Sequence, residues 1–476
     1  MPAFLARLRV PVPAARLFDW HERPGAFERL SPPWQPVRLE RHDGIRSGDR
    51  AVLRLGVGPA AVRWTAEHRA YGDACRRADG PCEFTDIQTS GPFAAWRHTH
   101  RMLPDGGASV LEDDVAYRLP LAPVSTALAG GLAEAQLQRL FAYRHRVTRA
   151  DLERHAADGG PPLTVAVTGS SGLVGRALCA FLTGGGHTVV RLVRSRAAVA
   201  EWNRGPQERA VYWNVERGEV DLDALAETAP DAAVHLAGEP VFALRYPTDK
   251  KRQIWESRTR GTQLLARALA ALPARPRVLV SASASGFYGD RGAEPLTEES
   301  AGGAGFLADV CRAWEASTAE AEAAGIRTVH ARIGVVVSAG GGMLPKLLPA
   351  ARAGLGGWVG RGAAYWPWIA LDDVVYALGH LLRDDGLAGP VNLSAPEPAG
   401  QRAFAEALGA VLGRPAFASV PEGLVRAVAG GTLEEVALSS ARMLPSRLLG
   451  AGFDFAYPRL DGALAHTLGR APAPPP

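Results

Sequence analysis

Lysine is nearly missing from this chain of 476 residues: Lys250, Lys251 and Lys346 are the only ones. The 53 basic and 49 acidic residues leave a formal net charge of +4, with arginine supplying most of the positive side and no basic block anywhere. Nucleic-acid binding is not implied. Long apolar runs are also missing. The longer uncharged stretches are full of Gly, Pro, Ser and Thr, so no membrane span is expected. The N-terminal Met1-Pro2-Ala3-Phe4-Leu5-Ala6-Arg7-Leu8-Arg9 is interrupted by charge before a signal-peptide core can form. Cysteine is scarce too, and Cys75, Cys82, Cys179 and Cys311 match neither a metal-ligand spacing nor a disulfide framework, which points to a reducing, cytoplasmic home. What remains, 47% hydrophobic and 21% charged residues, is the composition of a globular protein rather than a disordered or fibrous one. At about 100–200 residues per domain the length predicts two to four domains.

A composition break at Ala156-Ala157-Asp158-Gly159-Gly160-Pro161-Pro162 divides the chain. Within 1–158, residues 51–55, 62–66, 83–87 and 115–119 alternate at period two and read as antiparallel strands. Helical patterns at 14–30 and 132–154 flank them, giving an α+β domain in which a sheet grips a long C-terminal helix. Within 163–385 the rhythm becomes strand, helix, strand (163–168, 172–182, 188–193), with further strands at 210–213, 232–236, 277–283 and 328–333. That pattern predicts an α/β Rossmann domain with a doubly wound parallel sheet. From 386 to 470 a short strand, an amphipathic helix and proline-punctuated segments form a C-terminal extension on the substrate side.

Thr168-Gly169-Ser170-Ser171-Gly172-Leu173-Val174-Gly175 places glycines at i, i+3 and i+6 directly after a predicted strand and at the opening of a helix. The spacing alone is weak, because Gly286-Gly289-Gly292 and Gly354-Gly357-Gly360 share it. Only the first copy has the strand–turn–helix context in which free N–H groups and the helix dipole stabilise a diphosphate. Gly169, Ser170, Gly172, Leu173, Val174 and Gly175 are therefore candidate cofactor contacts. The second strand ends in Leu192-Val193-Arg194-Ser195-Arg196 with no acidic residue for a ribose 2′-hydroxyl. Arg194 and Ser195 instead suit a 2′-phosphate, which favours NADP over NAD.

These segments resemble the epimerase family of the extended short-chain dehydrogenase/reductase superfamily, NAD-dependent epimerase/dehydratase-like proteins with a C-terminal extension. The resemblance rests on TGSSGLVG (168–175), HLAGEPV (235–241), SRTRGTQLL (257–265), SASASGFYGD (281–290), FLADVCRAWE (306–315), RIGVVVSAGGGMLPKLLP (332–349) and WPWIALDDVV (366–375), and covers about 163–468. It implies that His235, Leu236, Ala237 and Gly238 lie beside the adenine ribose and Arg332-Ile333-Gly334 near the nicotinamide. The first domain resembles the START-like, polyketide-cyclase-type ligand-binding superfamily, through Val10-Pro11-Val12-Pro13 and Gly91-Pro92-Phe93-Ala94-Ala95-Trp96-Arg97-His98. That resemblance implies an apolar cavity for a hydrophobic small molecule. A filled interior with a stabilising or interaction role stays open beside it.

The resemblance also implies a serine that holds the substrate oxygen and a Tyr-x-x-x-Lys pair on the following helix. That helix reads Phe306-Leu307-Ala308-Asp309-Val310-Cys311, with neither residue. Tyr246-Pro247-Thr248-Asp249-Lys250 has the spacing but precedes the serine strand and contains a proline, so it reads as a coincidence. Ser283 is the candidate for the substrate-holding hydroxyl, with Ser281 and Ser285 as rivals. Tyr288 is the candidate proton donor at the cofactor mouth; without an adjacent cation its pKa stays near about 10. His98 and His100 share one strand face, but no third ligand is evident and no metal is expected. Trp358, Trp366 and Trp368 fit a pocket wall or core packing equally; Glu239 fits a site contact or a helix cap, and Asp372-Asp373 a helix N-terminus. The leading reading is an NADP-dependent oxidoreductase or nucleotide-sugar-epimerase-like enzyme acting on a small-molecule substrate. The alternative is a non-catalytic NADP(H)-sensing, ligand-binding protein. Substrate, reaction direction and oligomeric state are not indicated.

Overall fold

The computed structural model describes residues 2–77, 80–121, 124–203, 205–241, 248–425, 427, 435 and 438–474. They fall into two compact units, Met1–Gly160 with Thr183–Gly186 and Leu468–Pro476, and Pro161–Leu182 with His187–Thr467. No described helix is long and apolar enough to cross a membrane.

In the first unit seven strands, β1 (Ala3–Val10), β2 (Val37–His42), β3 (Arg50–Leu55), β4 (Val62–Asp73), β5 (Cys82–Ser90), β6 (Ala95–Asp105) and β7 (Ala108–Arg118), form one sheet in the order β1-β7-β6-β5-β4-β3-β2. Every pairing is antiparallel. The helix read as continuous over 14–30 is instead α1 (Ala14–Glu22) and α2 (Ala26–Arg29). Arg23 between them is extended, at φ −76° and ψ 151°, because the ring of Pro24 disfavours the helical conformation in the residue before it. The long helix α3 (Val124–Asp158) starts earlier than its apolar periodicity suggested and runs for 35 residues.

Alternation along the strands gives this sheet one inward face. On β6 that face carries Trp96, His98, His100 and Met102; on β7 it carries Tyr117, Val115, Asp113 and Leu111. One apolar cluster gathers Trp96, Val115 and Tyr117 with Leu137 and Phe141 of α3, and another gathers Phe84, Met102 and Leu111 with Leu17, Phe18 and Trp20. Between the clusters the same face holds His98, His100 and Asp113, all buried, and His145 of α3 reaches Asp113 with Nε2 at 2.8 Å from Oδ2. The expected apolar lining is therefore interrupted by a polar layer. A buried, two-pronged ion pair joins Arg29 to Asp151, at 2.8 Å and 2.7 Å.

The structure also corrects the reading of the cysteines. Cys75 and Cys82 form a disulfide, their Cα atoms 5.0 Å apart across the turn from β4 to β5. Disulfides are rare in the reducing cytosol, so cysteine usage gives this chain no cytosolic address.

In the second unit β8 (Thr164–Thr168), β9 (Thr188–Val193), β10 (Glu208–Asn214), β11 (Glu219–Val220), β12 (Ala232–His235) and β13 (Val278–Ala284) join the strands Arg327–Ile333 and Gly389–Leu393 in an eight-stranded sheet. From one edge the order is β11-β10-β9-β8-β12-β13, then Arg327–Ile333 and Gly389–Leu393. All pairings are parallel except that of the edge strand β11. The strands are apolar on both faces, as helix-covered parallel strands must be; Val165, Ala166 and Val167 are all buried. Counted without β11, the order is 3-2-1-4-5-6-7, the Rossmann arrangement, whose direction reverses between β8 and β12. Helix α4 (Leu173–Gly184) follows β8.

Candidate functional site

In open parallel sheets a ligand crevice lies outside the carboxyl ends of the strands, where strand order reverses. Here that point is formed by the turn after β8 and the segment after β12. Gly169 sits at φ +67°, and a Cβ on it would lie 2.7 Å from the backbone carbon of Leu236. A Cβ on Gly175 would lie 2.2 Å from the carbonyl oxygen of Gly169. The first glycine lets two strand ends close on each other; the last lets α4 pack on the turn. Between them Ser171 and Gly172 are exposed, at the mouth of a helix whose first N–H groups have no intrahelical acceptor. The Gly172 N–H bonds back to the Gly169 carbonyl at 2.9 Å and closes the turn. Ser170 is buried, and Leu173 and Val174 are half-buried.

Thr168 fastens the other wall. Its Oγ1 accepts from the backbone N–H groups of Leu236 (3.1 Å) and Ala237 (3.3 Å) and lies 2.7 Å from Nδ1 of His235. With two N–H groups already donating to the oxygen, the hydroxyl proton goes to Nδ1 and the ring keeps its own proton on Nε2. His235 is fully buried, and burial, followed by the nearby Arg258 charge, lowers its pKa to about 3. Leu236 and Ala237 thus shape the crevice with amides already engaged, while Gly238 beyond them is exposed.

At the end of β9, Arg194 and Ser195 are both exposed, and the Arg194 guanidinium has no partner among the described residues. The reading from sequence missed Arg191. This buried arginine inside β9 stacks 4.2 Å from the ring of Trp202, pairs with Glu208 at 3.0 Å and donates to the Ser170 carbonyl at 3.4 Å, under the glycine turn. A charged residue in the run Val189-Val190-Arg191-Leu192-Val193 was the signal.

The serine strand differs most from expectation. Ser283 is buried and its hydroxyl donates to Oε1 of Glu315 at 2.7 Å. Glu315 is held by Arg332, whose Nη1 reaches the Tyr288 hydroxyl at 3.0 Å. That hydroxyl contacts Asn392 Oδ1 at 2.7 Å and the Thr297 carbonyl at 3.0 Å. Tyr288 is fully buried within this chain, not facing a cofactor mouth, and it has the adjacent cation that the sequence did not suggest. Burial raises its pKa, against the opposing pull of Arg332. The helix Phe306–Ala316 presents Cys311 and Glu315, four residues apart, to the strand end where a Tyr-x-x-x-Lys pair was sought. Burial, with Glu315 next, pushes the Cys311 thiol up to about 11. Ser281 is buried, its hydroxyl 3.5 Å from the Ala282 carbonyl; Ser285 is half-buried, and its hydroxyl makes no hydrogen bond among the described residues.

The other residues singled out have partners within the fold. Glu239 is paired with Lys250, while Tyr246 and Pro247 lie outside the described residues. Asp372 bonds His466 at 2.8 Å, and Asp373 accepts from the N–H groups of Ala456 and Tyr457 at 2.7 Å and 3.0 Å. Trp368 is buried with Nε1 on the Glu397 carbonyl, Trp366 packs edge-on against Phe404, and Trp358 lies under Arg402.

Residues 165–393 match the model of the NAD dependent epimerase/dehydratase family, and residues 420–467 match a domain of unknown function, DUF1731. An epimerase family protein of Mycobacterium bovis is 39% identical over 306 residues, which span 64% of this chain and 98% of that protein. A crystal structure of the nucleoside-diphosphate sugar epimerase from Corynebacterium glutamicum, 33% identical, superposes with a TM-score of 0.79 over 99% of this chain and 91% of its own. The human epimerase family protein SDR39U1, crystallised with NADPH, is 31% identical with a TM-score of 0.56 over 64% of this chain and 99% of its own. With the reversal point between β8 and β12, the glycine turn and these relatives in agreement, the chain belongs to the NAD dependent epimerase/dehydratase family within the extended short-chain dehydrogenase/reductases.

Proposed function

We propose that the second unit binds NADP(H) and acts as an oxidoreductase or epimerase on a small-molecule carbonyl or alcohol. The observation that carries the reading is the cradle at Gly169 and Gly175, two positions where any side chain would collide with backbone. A diphosphate set over the turn meets the exposed Gly172 and the first N–H groups of α4. The guanidinium of Arg194, without a partner among the described residues, with Ser195 beside it and no carboxylate in the sequence at that strand end, suits a 2′-phosphate; the human relative crystallised with NADPH supports the same choice. NADP, when bound, supplies the hydride acceptor and donor. Ser285, whose hydroxyl is uncommitted, is the serine left to meet a substrate oxygen. Ser283 and Tyr288, held in the Glu315–Arg332 chain, keep the strand end in place, and proton transfer falls to water or to the substrate itself.

A second reading has support from that same chain. Both expected catalytic groups are buried and engaged, which favours a non-catalytic NADP(H)-responsive protein. Calorimetry followed by a single-turnover assay separates the two. Both readings expect heat on titration with NADPH, and Arg194→Gln is expected to weaken NADPH binding roughly tenfold, or about 1.4 kcal/mol, without changing NADH binding. Only the enzyme oxidises stoichiometric NADPH in the presence of carbonyl substrates. No heat with either nucleotide would sink both readings.

For the first unit we infer a START-like helix-grip domain. Its antiparallel sheet and 35-residue helix support that reading, and the aromatic group of Trp64, Phe93 and Trp96 suits a hydrophobic ligand. Native mass spectrometry of the purified protein tests this through co-purifying small molecules.

A further inference from the structure

We propose that Asp86, His98 and His100 in the first unit bind a divalent transition-metal ion. Strand register brings them together. His68 of β4 pairs with Asp86 of β5, which pairs with His98 of β6; one step along the same face, His100 lies between Phe84 and Asp113. The sequence pattern showed the two imidazoles on one face; the third ligand comes from the neighbouring strand, where spacing along the chain gives no sign of it.

The donor atoms converge. Oδ2 of Asp86 lies 3.3 Å from Nδ1 of His98 and 3.7 Å from Nε2 of His100, and the three donors all fall within 4.8 Å of one another. An ion at roughly 2.0–2.2 Å from nitrogen and oxygen ligands in tetrahedral geometry sets neighbouring ligands about 3.4 Å apart. These two separations bracket that value. Two imidazoles and one carboxylate are donors for Zn²⁺ and for the ions just before it in the first transition row, and they leave a coordination position for water. Asp86 keeps 16% of its side chain exposed, so the cluster has a route to solvent.

The surroundings are those of a built ligand set. Nε2 of His98 lies 2.9 Å from Oδ1 of Asp113, and Nδ1 of His100 lies 2.8 Å from the same oxygen in a skewed geometry that is not a hydrogen bond. One carboxylate thus faces the remote nitrogens of both imidazoles, and His145 anchors it from behind. The other oxygen of Asp86 accepts from Nε1 of Trp96 at 3.2 Å. Acceptors behind metal-bound imidazoles orient the rings, as Asp113 does for His98 through its hydrogen bond. A separate observation points to a missing ligand: His68, next to Asp86 in the row, is buried with neither ring nitrogen hydrogen-bonded. Its two imidazole nitrogens are thus uncommitted beside the cluster, on the strand that pairs with that of Asp86.

The experiment uses the full chain, stripped with a chelator and titrated with Zn²⁺ and with Co²⁺ as a spectroscopic probe. One equivalent of Zn²⁺ per chain is expected, with a raised melting temperature and visible Co²⁺ bands of a low-symmetry nitrogen–oxygen site. Asp86→Asn and His100→Gln are expected to abolish the bands. Asp113→Asn, which leaves the three donors intact, is expected to weaken Zn²⁺ by about 10–100-fold. Circular dichroism confirms that each variant folds; the wild-type titration stands whether or not they do. Absence of Zn²⁺ and Co²⁺ binding to the wild-type chain would overturn the proposal and leave an ion-pair network only. Undiminished binding by folded Asp86→Asn and His100→Gln would overturn it equally.

Discussion

Glu315 and Arg332 meet as a two-pronged ion pair, Oε1 to Nε and Oε2 to Nη2 both at 2.9 Å, with side chains only 12% and 5% exposed. The pair joins the end of the serine strand to Tyr288 and, through it, to Asn392. Arg332 also lies 3.5 Å from the ring centre of Phe287, so one guanidinium serves a carboxylate, a phenol and an aromatic face.

Removing one member of a buried pair strands the other charge, which costs about 3–5 kcal/mol. Glu315→Ala is expected to lower the unfolding free energy by that amount, read as a lower urea midpoint with little change in slope. Replacing both residues with Leu and Met is expected to recover much of the loss. A single variant as stable as the wild type would show that the pair contributes nothing.

The glycine turn predicts a separation of effects. Gly175→Ala drives a Cβ against the Gly169 carbonyl at 2.2 Å and is expected to destabilise the fold by about 1–3 kcal/mol. At Gly172 the Cβ would meet that same oxygen at 3.3 Å, a contact the turn can absorb, while standing where the nucleotide approaches. Gly172→Ala is therefore expected to keep the melting temperature within a few degrees and to weaken NADPH binding. Thermal melts and calorimetry on the two variants check the split; equal loss of stability in both would contradict it.

His235 predicts the direction of acid sensitivity. Its folded pKa is about 3 against about 6.5 unfolded, so between those values the unfolded chain binds the extra proton and stability falls as pH falls. Above about pH 6.5 the group contributes no pH dependence. Through the window its slope is at most about 1.4 kcal/mol per pH unit. Urea unfolding at pH 7, 6 and 5 is expected to show a steeper decline for the wild type than for His235→Gln; parallel profiles would refute the assignment.

Local patterns carried much of the fold. The glycine turn needed only its spacing between a strand and a helix, and the alternation of His98 and His100 placed both imidazoles on one face of β6. What the pattern could not reach were partners brought together by packing. Ser283 and Glu315 are separated by 32 residues, Arg332 and Tyr288 by 44, and no periodicity relates them. Asp86 joins the two imidazoles only through register between neighbouring strands. Cys75 and Cys82 are close in sequence, but a spacing of seven acquires meaning only once the short 3-10 turn Ala74–Arg77 after β4 folds one back on the other. Arg191 stayed hidden because a charge in a buried strand is read as an exception until its neighbours are known.

The closeness of Gly169 to Leu236 has a consequence for how this chain is made. The turn and its opposite wall are contributed by strands about seventy residues apart in translation order, and nothing ahead of Ala232 can stand in for the second one. A nascent chain or proteolytic fragment ending before Ala232 would carry the whole glycine signature and still have half a crevice.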